Sequence, residues 1–339
     1  MRSEIDISSV EQFETIADSI SGRSAVRSEF IFYTSINDAD ELQRAMAAAT
    51  LILEKIASTI ALENREAFKV IVTPLENDPE QGTLMGQFLG FIALNPHWPY
   101  IEIEFGEDEP TLETFEAFAE TVNAIDESAE RYAREQFVSS FLDDLSMEAI
   151  ATQEEQLTSN HVTLYFEDAD LTENQGTVLS ADDNERYIAA LARCLAGPMQ
   201  ISLKLNHGFN SRYARLNPEI ASVFATRPPE YQQTLHFAID HFAINEEFLE
   251  DLGVATAKTT EVTLDFNGSL ISGDFIDYVS AIQNTGSNLN KALRIQFNEV
   301  KIGNRITDVV EIYRGITKAL AALIATMRDD QQLAIYFYD

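Results

Sequence analysis

Five histidines, one cysteine and 56 carboxylates are the side chains from which this 339-residue chain could build acid–base, nucleophilic or metal chemistry. The histidines are His97, His161, His207, His236 and His241. His236 and His241 stand five residues apart, about 140° on a regular helix, so a helix could not turn both toward one metal ion. His236 and Asp240, four apart, would share a helical face and could begin a two-ligand site. No third ligand is identifiable, there is no H-E-x-x-H, and an ordinary helix-surface pair is the favoured reading. Cys194 lies among apolar helical positions in ERYIAALARCLAG and reads as core. As the single cysteine, it excludes an intramolecular disulfide framework and a cysteine-rich zinc cluster.

The loop-like motifs fall short of their chemistry too. EDADLTENQG (167–176) alternates carboxylates like the start of a calcium loop, but Glu173 stands where glycine is needed and Leu179 where the bidentate glutamate belongs. DFNGSLISGD (265–274) has two glycines but no lysine in phosphate-loop order, and reads as a hairpin turn or a loop between elements. There is no G-x-S-x-G elbow. Gly82, Gly86 and Gly90 recur every four residues, which permits close backbone approach to a neighbouring element or marks a loosened loop. Trp98, between Pro96 and Pro99, reads as packing under a sheet, with an interface anchor as the other role. We therefore expect no catalytic residue, no metal and no cofactor, although scattered carboxylates leave a hydrolase of unrecognised type open.

Charge is the informative feature. With 56 Asp+Glu against 23 Lys+Arg, the net charge is −33, which disfavours direct contact with nucleic acid or an anionic membrane. Residues 1–150 hold 30 acids and 9 bases, and residues 102–148 hold 15 acids against Arg131 and Arg134 alone. In that stretch Phe115, Phe118, Val122, Ile125, Ala129 and Tyr132 make one helical apolar stripe. Glu113, Glu116, Glu120, Glu127 and Glu130 take its flank and outer face. Glu107, Asp108 and Glu109 precede the helix, where its dipole favours negative charge. Glu102 and Glu104 alternate with apolar residues in the strand YIEIEF. Carboxylates one turn apart have a spacing of about 5–6 Å, comparable to the phosphate repeat of a DNA strand. These ten residues are the expected partner-binding set. A solvated amphipathic face explains the same pattern. Adaptation to high salt is a third reading, supported by 7 lysines against 16 arginines and opposed by the concentration of the charge.

The elements that would position these residues recur as strand, helix, strand. The first group runs from a strand at 28–36 through a helix capped by Asn37 or Asp38 to strands at 68–75 and 100–105, then a helix from about 111 to 145. The second has strands at 161–166 and 199–205 around a helix at 182–195, then helical stretches at 217–225 and 230–252 broken at Pro228 and Pro229. The third has a strand at 261–266, a helix at 273–283, a strand at 292–302, a last helix and a terminal strand. A shared V-T-L-x-F at 162–166 and 262–266 hints at weak duplication or at convergence on strand chemistry.

The expected fold is α+β, with two or three modules of mixed or antiparallel sheet covered by helices. The modules expected are a strongly acidic one over residues 1–150, a middle one over 151–255 and a C-terminal one over 256–339. No apolar run reaches the roughly 18 residues of a membrane span, and MRSEIDISSVEQF lacks a signal-peptide core, so a soluble, cytoplasmic chain is expected. The function expected is non-enzymatic: an acidic protein that engages the basic, nucleic-acid-binding type of partner protein. It would act as a DNA mimic or inhibitor of a nuclease or defence system, or as an immunity protein. A self-associating assembly protein is the alternative.

Overall fold

In a computed structural model the described residues are 2–7, 9–19, 27–32, 36–57, 68–72, 78–95, 100–105, 111–123, 161–167, 181–196, 199–206, 214–228, 234–271, 275–285, 292–302 and 309–338. The chain divides into two compact units, Met1–Thr163 and Leu164–Asp339.

The first unit contains β1 (Arg2–Ile7), α1 (Val10–Ser19), β2 (Arg27–Phe32), α2 (Ala39–Ala57), β3 (Phe68–Val72), α3 (Pro79–Ala93), β4 (Tyr100–Phe105) and α4 (Thr111–Asn123). Its strands pair in chain order, each parallel to the next. The helices are punctuated by their sequence. Asp38 Oδ1 accepts from Glu41 N at 2.8 Å, while Asn37 N donates back to Glu41 Oε2 at 2.9 Å, a reciprocal cap at the start of α2. Asp78 accepts from Glu80 N before Pro79, whose fixed φ suits a first helical turn. The glycine series belongs to α3 and serves close packing. A Cβ on Gly86 would sit 2.2 Å from the carbonyl oxygen of Thr114, and one on Gly90 2.6 Å from Thr121 Cβ, both on α4.

The second unit takes in β5 (His161–Glu167) from Leu164 on. It continues with α5 (Ala181–Leu195), β6 (Gln200–Asn206), β7 (Ala214–Arg215), α6 (Glu219–Thr226), β8 (Thr234–Asp240), β9 (Phe242–Ile244), α7 (Glu246–Lys258), β10 (Glu261–Asn267) and β11 (Leu270–Ile271). It closes with α8 (Phe275–Thr285), β12 (Ala292–Asn298), β13 (Lys301–Ile302), α9 (Val309–Ile324) and β14 (Gln332–Tyr338). The long strands lie in the order β5-β6-β8-β10-β12-β14, and the short ones form a second sheet in the order β7-β9-β11-β13. Successive helices pack side by side, α5 on α6, α6 on α7, α7 on α8 and α8 on α9.

This corrects the expected fold class. Every described pairing is parallel, so the architecture is α/β and not an α+β arrangement of mixed or antiparallel sheet. Alternating apolar and polar residues suggest antiparallel strands because parallel sheets are usually covered on both faces. Here each crossover advances the sheet by one strand in the same direction, and a constant crossover hand then puts the helices on one side. Phe237 of β8 meets Phe224 of α6 and Phe248 of α7 at ring separations of 4.8 and 6.1 Å, and Phe297 of β12 meets Phe275 of α8 at 5.6 Å. Leu235, Phe237, Ile239, Val262, Leu264, Phe266, Leu293, Ile295 and Phe297 form the buried layer under those helices.

A second correction concerns residues 230–252, expected as helix. Residues 234–240 are strand and the helix starts only at Glu246, where Asn245 Oδ1 accepts from Phe248 N at 2.9 Å. Leu235, Phe237 and Ile239 set a period of two that outweighs the helical spacing of the residues around them. Residues 253–258 lie within α7, and β1 and α1 add an N-terminal strand and helix that periodicity does not pick out.

Three basic side chains close helix C-termini from the next element along. Lys55 Nζ donates to the Ala17 carbonyl, Lys258 Nζ to that of Ala225, and the buried Arg227 to those of Leu195 and Met199. The Ala17, Ala225 and Leu195 carbonyls carry the negative end of the helix dipole and lack intrahelical partners, while that of Met199 precedes β6. In a chain with 23 basic residues, some of the few cations are thus committed to internal carbonyls.

Candidate functional site

The ten sequence-predicted carboxylates do not form one described cluster. Glu107, Asp108, Glu109, Glu127 and Glu130 lie outside the described residues, as do residues 124–145 of the expected long helix. Glu113 and Glu116 are partly exposed on α4 and Glu120 is exposed, while Leu112, Phe115, Phe118 and Ala119 are buried. Glu102 occupies β4 in register with Lys69, and Glu104 in register with Ile71. Ile101 and Ile103 are buried and Glu102 between them is partly exposed, so Glu102 lies on the strand face turned away from the buried one. α4 packs on α3 in the helix layer. Strand and helix carboxylates therefore occupy separate surfaces.

The side chains that the fold does bring together are on the second unit's sheet, at the positions alternating with the buried layer. Parallel register arranges them in rows. One row holds Ser202, His236, Thr263, Arg294 and Ala334, the next Lys204, Ala238, Asp265, Gln296 and Tyr336, and a third Asn206, Asp240, Asn267, Asn298 and Tyr338. Most are partly exposed, Arg294, Tyr336 and Tyr338 are exposed, and Ser202 is buried. His236 Nε2 lies 3.2 Å from Asp265 Oδ2, each side chain 31% exposed. The other oxygen, Asp265 Oδ1, is buried without a hydrogen-bond partner among the described residues. Arg294 lies over the Tyr336 ring, 5.9 Å from its centre.

The third row is a side-chain ladder. Asn298 Nδ2 donates to Asn267 Oδ1 at 2.8 Å, and Asn267 in turn hydrogen-bonds the Asp240 carboxylate. Burial raises the Asp240 pKa above the ordinary carboxylate value; the Asn267 bond and nearby His241 counter this, and the Asp265 charge adds to it. Each rung ends in the same turn. His241, Gly268 and Glu299 have φ of 63°, 52° and 51°. Their amides donate to the carbonyls of Asn267, Asn298 and Tyr338 on the next strand, at 3.0, 2.9 and 3.2 Å. A Cβ at Gly268 would stand 2.7 Å from His241 Nε2, so a side chain there would have to displace the imidazole.

His236 and Asp240 do share a face, as expected, but on a strand, two register positions apart. Asp265, paired here with His236, lies in the strand expected at 261–266, where the DFNGSLISGD stretch begins. A signal for this face is present in the sequence. Three apolar residues at alternate positions followed at once by Asn or Asp occur at 201–206, 235–240, 262–267 and 293–298. Cys194 is buried and its burial pushes the thiol far above its ordinary pKa, as befits a core residue. Among the described residues no group of three His, Cys, Asp or Glu could hold a metal ion, and no helix is long and apolar enough to cross a membrane. His97, Trp98 and His207, and all of residues 168–176, lie outside the described residues.

No protein-family model, curated protein or solved structure matches this chain.

Proposed function

We propose that this chain is a non-enzymatic acidic binding protein that engages the basic surface of a partner protein. The observation that carries the reading is the polar face of the second unit's sheet. Among the described residues it is uncovered by helices, ordered in rows by parallel register, and includes Asp240, Glu261 and Asp265 on adjacent strands. Such a surface presents many side chains at the roughly 4.8 Å spacing between strands without any of them having to converge on a reacting atom. The net charge of −33 draws a basic partner toward it and speeds encounter. The Asp265 side chain, about a third exposed, offers carboxylate charge to a cationic side chain.

The particular forms of this activity are a nucleic-acid mimic that inhibits a nuclease or defence system, and an immunity protein against a basic toxin. Among the described residues mimicry rests on Glu113, Glu116 and Glu120 of α4, spaced along one helix, while the sheet face suits a broader protein contact.

The test is capture of partners on the immobilised chain at low and high salt, with DNA as competitor. The wild type is compared with Glu113→Lys/Glu116→Lys/Glu120→Lys and with Glu261→Lys/Asp265→Asn. A basic nucleic-acid-binding protein released by salt or DNA, and lost in one of the two variants, is the expected result. Equal retention by both variants and the wild type would remove the reading.

A further inference from the structure

The long sheet of the second unit ends at β14, whose outer edge pairs with nothing among the described residues. Edge strands of folded proteins are normally blunted by charge, proline or a bulge, and stacks of repeated units by a polar terminal unit. β14, with the sequence QLAIYFY, has no charge, proline or glycine over seven residues. Its side chains are also open where those of the preceding strand are closed. Phe297 is 2% exposed and its register partner Phe337 is 45% exposed, although the two rings stack at 5.2 Å. Phe266, Phe297 and Phe337 thus make a ladder of stacked rings in which exposure rises at the last member. Tyr336, Tyr338 and, on α9, Ile324 add exposed apolar surface beside it.

We propose that β14 is the surface through which two copies of this chain pair, antiparallel, about a two-fold axis at Ile335. Charge selects the occupant. Residues 309–338 carry three acids (Glu311, Asp329, Asp330) and three bases (Arg314, Lys318, Arg328), a neutral segment in a chain of net −33. A basic or nucleic-acid partner gains nothing from that segment, whereas two strongly acidic copies need such a place to approach. Shape agrees. Antiparallel pairing centred on Ile335 sets Phe337 opposite Leu333 and Tyr336 opposite Ala334 of the second copy, large against smaller on both faces of the sheet. It also keeps both helix layers on one side, because residues opposite one another in a ladder point the same way. The contact is isologous and closes at two copies.

Two measurements on the full chain decide this. Sedimentation equilibrium should give twice the 38.0 kDa chain mass, with dissociation on dilution and tighter association as added salt screens the repulsion between two chains of net charge −33. Cysteine scanning then tests register against a clean background, since the native Cys194 is buried. Ile335→Cys places two thiols opposite one another at the axis and should yield a disulfide-linked dimer on mild oxidation. Gln332→Cys places them six residues apart, about 20 Å along the strands, and should not. A 38.0 kDa species at every concentration overturns the proposal. So does cross-linking of Gln332→Cys equal to that of Ile335→Cys, since the contact would then lie elsewhere or in another register.

Discussion

His236 on β8 and Asp265 on β10 meet diagonally across neighbouring parallel strands, Nε2 to Oδ2 at 3.2 Å, leaving the other aspartate oxygen buried and without a described partner. Twenty-nine residues separate them in the chain. The pair sits among the acidic residues of the open sheet face, which makes it the sensitive point of the proposed binding surface.

Replacing Asp265 by alanine is expected to lower stability by about 1 kcal/mol, the usual worth of one side-chain hydrogen bond. The same change should weaken a basic partner by about tenfold, or 1.4 kcal/mol, by removing a partly exposed negative charge from the face. Urea unfolding and titration calorimetry read the two effects separately. Full affinity in Asp265→Ala, with loss in Glu113→Lys, would move the contact to α4.

Asp240 supplies a prediction in pH. Its folded-state pKa is raised, chiefly by burial, so the folded chain binds its proton more tightly than the unfolded chain does. Stability from this group is therefore present below the unfolded pKa of about 3.9 and is lost as pH rises through that value to the raised one. Asp240→Asn, which can still accept from Asn267, should be more stable than the wild type at neutral pH. The difference should shrink on acidification. A wild type that is the more stable at pH 7 would contradict the assignment of burial as the larger cause.

Two glycine substitutions should act in opposite directions. At Gly86 an added methyl meets the Thr114 carbonyl at 2.2 Å and Ala117 Cβ at 2.7 Å, and α3 and α4 must separate to admit it. Gly86→Ala should cost about 1–3 kcal/mol, the range of core overpacking. Gly315, inside α9, has nothing within 4 Å of the place a methyl group would take, so Gly315→Ala should gain about 0.5–1 kcal/mol through helix propensity alone. Shifts in the urea midpoint of the same sign for both would refute the packing account.

The buried Arg227 donates Nε to the Leu195 carbonyl at 3.2 Å and also bonds Met199 O. Arg227→Met removes the charge and keeps much of the volume, and should cost about 3 kcal/mol because buried carbonyls lose a charged donor. Lys258→Met, which strips one donor from Ala225 O at a partly exposed site, should cost about 1 kcal/mol. Differential scanning calorimetry on the pair tests the order. Equal losses would show that burial of the helix end does not set the cost.

Much of the local structure is legible in the residues. Asp38 with Glu41 announces α2, Pro228 and Pro229 stop the helix before them, and V-T-L-x-F marks strands at 162–166 and 262–266, because caps, ring constraints and a period of two act over a few residues. The cysteine's place in the core follows from its apolar helical neighbours, and the glycine series follows from what a missing Cβ permits. The candidate site is less legible. His236 and Asp240 stand out as a pair, but their spacing suggests a helix as readily as a strand, since four residues return a side chain to the same face in a strand and nearly so in a helix.

What the sequence determined by itself was the composition of each face: which positions are apolar, which polar, and how much charge the chain carries. Tertiary structure decided that the strands run parallel, that the helices cover one side, and that Asp265 therefore reaches His236 while Glu102 is parted from Glu113. The physical reason is that alternation fixes what lies on the two sides of a strand, but the direction of pairing and the side that is covered depend on the crossover connecting one strand to the next.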